Sequence, residues 1–415
     1  MRLMVYSHDT YGLGNISRML AICSYLLKAI PNLSILVVSG SPMLHSFRLP
    51  QGLDYVKLPC LNRGESGQLS AKYLNTETDE TIKLRSELIL ATAINFKPDM
   101  LLVDKKPDGI AGELKETIRY LKCVLPESKL ILLLRDILDS PQVTIPEWQN
   151  NGYHEAIYFY YNQILVVGMP EVFNLTREYQ FPAHTAKKVR FCGYIRKEPG
   201  LQPPSILRQE LQIQPEEKFV LVTPGGGQDG DYLIENYFAS LEHLPESHKL
   251  KSVILCGPEM KASQKEAFYQ TAQKYPHVQI SEFTDDLMSY MEASDIVVSM
   301  GGYNTVTEIL SLGKKSIIVP RVKPAKEQLI RAERLSRLGL VKMIHPDCLT
   351  PQGLMETILE QLSNSASHLP ALSRLDLDGL PQTTRYIYNL LHGSHSDEFV
   401  YSYSKSFYAD LTTAV

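Results

Sequence analysis

Short β-branched and leucine-rich runs alternate along this chain with longer runs whose apolar positions recur every three or four residues. "RLMVYS" reads as a strand. "ISRMLAICSYLLKAI" then places Ile16, Met19, Leu20, Cys23, Leu27 and Ile30 on one helical face. "SILVVSG", "DMLLVDK", "KLILLLRD", "QILVVG" and "VRFCGY" continue the strand series, with a helical run from Glu113 to Cys123 between two of them. The strands are apolar throughout rather than alternating, as parallel strands covered on both faces are. The fold class this predicts is α/β, built from βαβ units.

The rhythm breaks around residues 196–215, where "RKEPGLQPPSILRQELQIQPEEK" is rich in Pro, Gln and charge. It resumes with "FVLVTPGGG", "SVILCG", "VQISEF", "DIVVSM", "SIIVP" and "LVKMI". Two α/β domains follow, residues 1–200 and 201–365, with 366–415 as a closing helix and tail. The polar segment from Arg63 to Asp79 reads as a long loop, and the last twenty residues as loosely held.

Each domain carries glycines between its first strand and the next helix. Ligands of open α/β sheets bind beyond the carboxyl ends of the strands, and a helix start there suits a phosphate. In the second domain the loop is "TPGGGQDG". Gly225, Gly227 and Gly230 satisfy G-x-G-x-x-G, with Gly226 and Gln228 between them. No acidic residue ends the following strand, as a dinucleotide site requires, and no GK[ST] marks a P-loop. In the first domain the loop is "SHDTYGLGN". Gly12 and Gly14 allow an unusual turn, Asn15 is placed to cap the next helix, and His8 and Asp9 lie just past the strand end.

The stretch "SMGGYNTVTEILSLGKKSIIVP" raises a sharper question. Thr305-Val-Thr-Glu308 has the form of a capping box, with Thr305 as cap. Gly301-Gly302 ahead of it leaves the helix start open to a ligand, and Glu308 could instead accept hydrogen bonds from a ribose diol.

Composition narrows the field. The 415 residues carry a net charge of −4, which argues against a dedicated nucleic-acid surface. Six cysteines without CxxC spacing do not form a disulfide framework, and the histidines show no metal spacing. No apolar run reaches membrane-spanning length and the start has no signal-peptide core, so a cytoplasmic protein is expected, with peripheral contact at the inner membrane face left open. Arg331, Arg334 and Arg337 read as a solvated stripe, and "YHEAIYFYYNQ" as core packing or, in the sharper reading, an acceptor-side or membrane-facing patch.

"GGYNTVTEILSLGKKSIIVP" followed by "KEQLIRAERLSRLGL" resembles the C-terminal nucleotide-sugar half of GT-B glycosyltransferases. It is most similar to the MurG-like group, glycosyltransferase family 28, which adds N-acetylglucosamine in bacterial cell-wall synthesis. "HDTYGLGNISR", "VDKKPDG" and "LLLRDILDSP" resemble a branch of glycosyltransferases related to it. The likeness covers most of residues 1 to about 390. It implies two Rossmann-like domains facing a central cleft, the first for the acceptor and the second for the donor.

The resemblance also implies roles. Glu308 would hold the ribose hydroxyls. Gly301, Gly302, Asn304 and Thr305 would bring helix amides to the diphosphate, with Arg196 as a phosphate-binding arginine and Gly225 to Gln228 lining that side. Glu327 and Gln328 would touch the sugar, and Phe283 would lie near the base. Gly12, Gly14 and Asn15 would form an acceptor-side loop. Related enzymes often carry His where this chain has Asn15, which is no base at neutral pH, so Asp9, His8 and Asp136 are the candidates to deprotonate an acceptor hydroxyl.

The implied reaction is inverting transfer of a hexosyl or N-acetylhexosaminyl group from a nucleoside-diphosphate sugar, a UDP-sugar first. The acceptor is a glycan, lipid or small molecule, with no cofactor and no required metal. Metal-using transferases of another fold carry D-x-D. "DGD" at Asp229–Asp231 and "DLD" at Asp376–Asp378 have that spacing, which chance supplies readily. Two alternatives stay open: a nucleotide-sugar epimerase on the same fold, and a non-catalytic nucleotide-sugar binding or partner protein. A dinucleotide oxidoreductase is a distant fourth.

Overall fold

In a computed structural model of the chain, residues 1–8, 12–63, 68–364 and 373–393 are described. The strands are β1 (Arg2–Ser7), β2 (Ser34–Ser39), β3 (Leu53–Lys57), β4 (Leu61–Arg63), β5 (Leu69–Ala71), β6 (Met100–Asp104), β7 (Lys129–Arg135), β8 (Gln163–Val167) and β9 (Val189–Phe191), then β10 (Lys218–Thr223), β11 (Leu250–Leu255), β12 (Val278–Ser281), β13 (Ile296–Ser299), β14 (Ser316–Ile318) and β15 (Lys342–Met343). All but β3, β4 and β5 follow apolar runs read from the sequence; those three were not expected.

Contacts divide the chain into two compact units, one of Met1–Ile195 with Asp378–Val415 and one of Arg196–Leu377. The first holds a seven-stranded parallel sheet in the order β3-β2-β1-β6-β7-β8-β9. All five residues of β6 are buried, as a central strand under helices on both faces must be. Helix Gly12–Ala29 buries Ile16, Met19, Leu20, Ile22, Cys23 and Leu26 against this sheet, and Ile30 just past its end is also buried. The expected face was off by one position: Leu26 is in the core, and Leu27 is only half-buried.

Two other readings need correction. The supposed loop from Arg63 to Asp79 contains β5, antiparallel to β4, and the start of helix Thr78–Phe96. The closing helix, Gly379–His392, is part of the first unit, where it packs on helix Gly12–Ala29 and on β8. Its Gly379 donates its amide to Tyr194 O at 2.9 Å, and a Cβ there would lie 2.7 Å from the same oxygen. Next to it Ile195 and Asp378 form an antiparallel bridge, and within the second unit Arg196 N donates to Leu377 O at 3.2 Å. The last twenty residues lie outside the described residues.

The second unit holds a six-stranded parallel sheet in the order β12-β11-β10-β13-β14-β15. Val220, Val222, Ile254, Val298, Ile317 and the helix residues Ile234, Tyr237 and Ile358 are buried in its core. Among the described residues no helix is long and apolar enough to cross a membrane.

Candidate functional site

Strand order in the second unit reverses between β10 and β13, so the crevice at their carboxyl ends is where an α/β sheet takes a ligand. Ser299 Oγ, at the end of β13, donates to Thr223 O, at the end of β10, at 2.5 Å. The loop after β10 needs its glycines. Gly225 and Gly227 have φ of +84° and +90°, and a Cβ on Gly227 would lie 2.2 Å from Cys256 O. The loop passes over the start of helix Tyr303–Leu312, since a Cβ on Gly225 would stand 3.4 Å from Thr305 Oγ1.

That helix is capped by Gly302, not Thr305. Thr305 is its third residue and Glu308 its sixth, so the capping-box reading fails: neither sits where the box needs it. Gly302 has an extended φ of −62°, and a Cβ there meets nothing within 4 Å. Neither backbone strain nor packing within the chain demands glycine at that position. What its missing side chain leaves is open space beside the helix start. Gly301 differs, because a Cβ there would lie 2.9 Å from Gln328 O.

Gly301 is clamped from two sides. Its N–H donates to Gln328 Oε1 at 3.1 Å, and its carbonyl accepts from Arg331 Nη1 at 2.7 Å. Gln328 Oε1 also accepts from Arg321 N at 3.1 Å. The Gln328 carbonyl is thus engaged with backbone. Glu327 is buried and accepts from Arg321 Nη2 at 2.6 Å, while Arg321 Nη1 reaches Asp229 of the glycine loop at 3.2 Å. Ionised Glu327 and Asp229 hold the Arg321 guanidinium charged against the opposing effect of burial.

The solvated arginine stripe is corrected at one position; Arg337 is exposed as expected. Arg331 is fully buried, with its guanidinium carbon 5.7 Å from the centre of the Tyr303 ring. It lies on the helix face that also buries Gln328, Ala332 and Leu335, and that i, i+3, i+4 spacing was the available signal.

Glu308 points from the middle of its helix with 15 % of its side chain exposed, and Lys197 Nζ stands 3.8 Å from Oε1. Burial raises its pKa above the ordinary carboxylate value, and the Lys197 charge opposes that rise. Lys197 was missed; the neighbouring Arg196 was expected as the phosphate ligand. Arg196 is exposed. The Lys197 backbone amide donates to Ser311 Oγ at 3.0 Å, which fixes this segment along the helix. Phe283, two residues past β12, is 56 % exposed, and Gln228 is exposed in the glycine loop. Asn304 is half-buried on the first helical turn.

The first unit has its own order reversal, between β1 and β6. Here His8 is buried at the end of β1, while Asp9 lies outside the described residues. Gly12 and Gly14 belong to the helix rather than to a turn. Asn15 is its fourth residue, not its cap, and its Oδ1 accepts from Arg18 Nη2 at 3.4 Å. Arg18 in turn pairs at 2.9 Å with buried Asp104, another residue the sequence reading passed over. Asp136 is fully buried; its Oδ1 accepts from Ile137 N at 2.8 Å and its Oδ2 from Tyr194 OH at 3.1 Å. Asp136 thus links the segment after β7 to the segment after β9. In the aromatic segment, Tyr153 and Tyr161 are core, whereas Tyr158 and Phe159 are exposed.

Comparison with known proteins fits this architecture. Residues 219–375 match the glycosyltransferase family 28 C-terminal domain. The chain is 24 % identical over 212 residues to the UDP-N-acetylglucosamine--N-acetylmuramyl-(pentapeptide) pyrophosphoryl-undecaprenol N-acetylglucosamine transferase of Clostridioides difficile (strain 630), covering 51 % of each chain. It thus spans about half the length of that curated relative. The crystal structure of Acinetobacter baumannii MurG superposes with a TM-score of 0.60 at 14 % identity, over 94 % of this chain and 99 % of that one. A Listeria monocytogenes protein described as a UDP-N-acetylglucosamine 2-epimerase superposes with a TM-score of 0.65 at 12 % identity, over 95 % and 97 %. The chain shares the GT-B glycosyltransferase fold of MurG, and its residues 219–375 match the glycosyltransferase family 28 C-terminal domain.

Proposed function

We propose that the chain is an inverting glycosyltransferase that moves a sugar, hexosyl or N-acetylhexosaminyl, from a nucleoside-diphosphate sugar to a hydroxyl acceptor. The observation that carries this reading is Gly302: an unstrained glycine in open space at a helix start, with the carboxylate of Glu308 further along the same helix. A diphosphate seated on those amides puts its negative charge at the positive end of the helix dipole. Glu308 then accepts from the ribose hydroxyls. Phe283 offers an exposed ring to the base, and the glycine loop from Gly225 to Gln228 borders the phosphates. Asn304, Thr305 and Arg196 are proposed as further phosphate contacts, and Glu327 and Gln328 as contacts to the sugar.

In the proposed step the acceptor oxygen forms a bond to the anomeric carbon as the bond to the diphosphate breaks, with inversion. The acceptor proton passes to a base of the first unit, Asp9 or His8. The negative charge developing on the leaving diphosphate is met by helix-start amides and nearby cations. This scheme assigns no step to a metal or cofactor. A UDP-sugar is the first donor to test, because the relative's name specifies UDP-N-acetylglucosamine. That name also specifies a lipid-linked acceptor. By extension we propose a glycan, lipid-linked or small-molecule acceptor, met from the cytoplasm, at the inner membrane face where it is lipid-linked.

The likeness to the protein described as a 2-epimerase favours one second reading, a nucleotide-sugar epimerase. One experiment separates the two. The purified protein is first screened by thermal shift with UDP, GDP, dTDP, ADP and NAD, since a ligand of the native state raises the midpoint. The matching nucleotide sugar is then incubated with and without candidate acceptors. Free nucleoside diphosphate with a glycosylated acceptor supports transfer. An isomeric nucleotide sugar formed without acceptor supports epimerisation. A shift with NAD alone would overturn both.

A further inference from the structure

Lys197 and Glu308 form an ion pair that folding alone does not explain. The nitrogen is 3.8 Å from the carboxylate oxygen, beyond hydrogen-bond range, and both side chains retain 15–18 % of their exposure. Such a partly exposed pair contributes little to stability. Yet the chain directs the ammonium to this carboxylate, because the Lys197 amide is held by Ser311 Oγ. Ser311, Glu308, Asn304 and Gly301 succeed one another at three- and four-residue spacing, which is one face of the helix and its lead-in. The Lys197 side chain therefore runs along this face from Ser311 towards the open start at Gly302, and it stops at Glu308 on the way.

A lysine stem has four flexible carbons and a compact charge that rotates freely among acceptors. Advancing the ammonium by one helical turn, about 5.4 Å, brings it level with Asn304 and the first amides. Two acceptors then compete for one cation: the Glu308 carboxylate, and any anion seated at the helix start.

We propose that Lys197 is an exchangeable counter-ion of the donor site. It neutralises Glu308 when no ribose is bound, and it moves to the diphosphate when ribose hydroxyls take over the carboxylate. The proposal rests on the donor-site reading above. It makes ribose and diphosphate recognition depend on each other through one side chain. A nucleoside alone would have to displace Lys197 from Glu308 and give it no new partner. A nucleoside diphosphate would supply that partner in the same event.

The test is calorimetric titration of wild type, Lys197→Met and Lys197→Arg with matched pairs: uridine and UDP first, then guanosine and GDP, thymidine and dTDP, adenosine and ADP. Methionine keeps the apolar stem, so the fold is retained and the charge alone is removed. For the pair that binds wild type, Lys197→Met is expected to weaken the diphosphate by roughly 10- to 100-fold, the range of a lost charge-assisted hydrogen bond. The nucleoside is expected to bind unchanged or more tightly. Lys197→Arg, which keeps the charge, should preserve the gap between the two ligands. Equal weakening of nucleoside and diphosphate in Lys197→Met would make Lys197 a purely structural partner and overturn the proposal. No change in either ligand would overturn it as well. If wild type binds none of the four pairs, the donor-site reading itself fails and takes this proposal with it.

Discussion

Arg331 Nη1 donates to the carbonyl oxygen of Gly301 at 2.7 Å, so a fully buried guanidinium fixes the turn that opens the helix Tyr303–Leu312. Removing it leaves a buried carbonyl without that donor and a cavity beside Tyr303. We predict that Arg331→Leu lowers stability by about 2–4 kcal/mol, and that Arg331→Lys recovers only part of it, since an ammonium cannot reproduce the planar fork. Chemical denaturation of the three proteins measures this directly. Wild-type stability in Arg331→Leu would mean that Gln328 alone holds the turn.

The glycines divide into those the fold needs and one it does not. Gly227→Ala forces a Cβ to within 2.2 Å of Cys256 O at a φ of +90°, and it should lower stability by more than about 1 kcal/mol, with a clear drop in melting midpoint. Gly302→Ala meets open space, and it should cost less than about 1 kcal/mol, the effect of a poorer cap residue. The same Gly302→Ala protein should nevertheless bind nucleoside diphosphate more weakly. Wild-type affinity there would remove the helix start as the phosphate site.

Glu308 sets a pH dependence whose sign is fixed by its raised pKa. A carboxyl that is harder to ionise in the folded state favours folding while protonated. That contribution is whole below the ordinary value of 4.5 and is lost as pH rises through the folded value. Glu308→Gln removes the titration. We expect the stability difference, Glu308→Gln minus wild type, to grow as pH rises from 4.5, and to grow further in a Lys197→Met background, where the opposing cation is gone. Melting curves from pH 4 to pH 8 test it; a difference that shrinks with pH would show Glu308 to be stabilised as an anion. Ligand affinity, measured separately, should fall in Glu308→Ala while the fold persists, because Glu308 caps nothing.

The carboxylates of the first unit should separate by what they disturb. Asp136→Asn weakens the buried bonds to Tyr194 and Ile137, so it should lower stability by about 1–3 kcal/mol. Asp9→Asn should lower turnover more than donor affinity. If turnover survives Asp9→Asn, His8→Gln is the next variant, and loss there transfers the base to His8.

Transfer should also persist in EDTA, because the proposed charge stabilisation uses amides and side-chain cations. Loss of turnover on chelation, restored by Mg²⁺ or Mn²⁺, would require a metal step.

Much of this architecture was legible in the sequence because parallel strands announce themselves as unbroken apolar runs. β6, β7 and β13 stand where "MLLVD", "KLILLLR" and "IVVS" lie. The positions of Gly302 and the glycine loop were legible for a related reason, since glycine lets the chain turn tightly from a buried strand into a helix. What escaped notice depended on pairing in space. Lys197 lies 111 positions before Glu308, and no local pattern links them. Arg331 was misread because its charge was weighed ahead of its phase on the helix. The boundary of helix Tyr303–Leu312 was misplaced because a capping-box motif can also occur inside a helix.

The pairing of Tyr194 to Lys197 with Leu377 to Gly379 also bears on how the chain folds as it is made. The Arg196–Leu377 unit has both ends at one place and is a contiguous stretch of chain, complete once its last strand and helix have emerged. The first unit is complete only when helix Gly379–His392 reaches helix Gly12–Ala29, after the whole inserted unit has been translated. At about 5–20 residues per second this interval lasts on the order of ten seconds or more. Throughout it helix Gly12–Ala29 lacks the helix Gly379–His392 that it packs against in the folded unit. The amino-terminal half, though made first, finishes last.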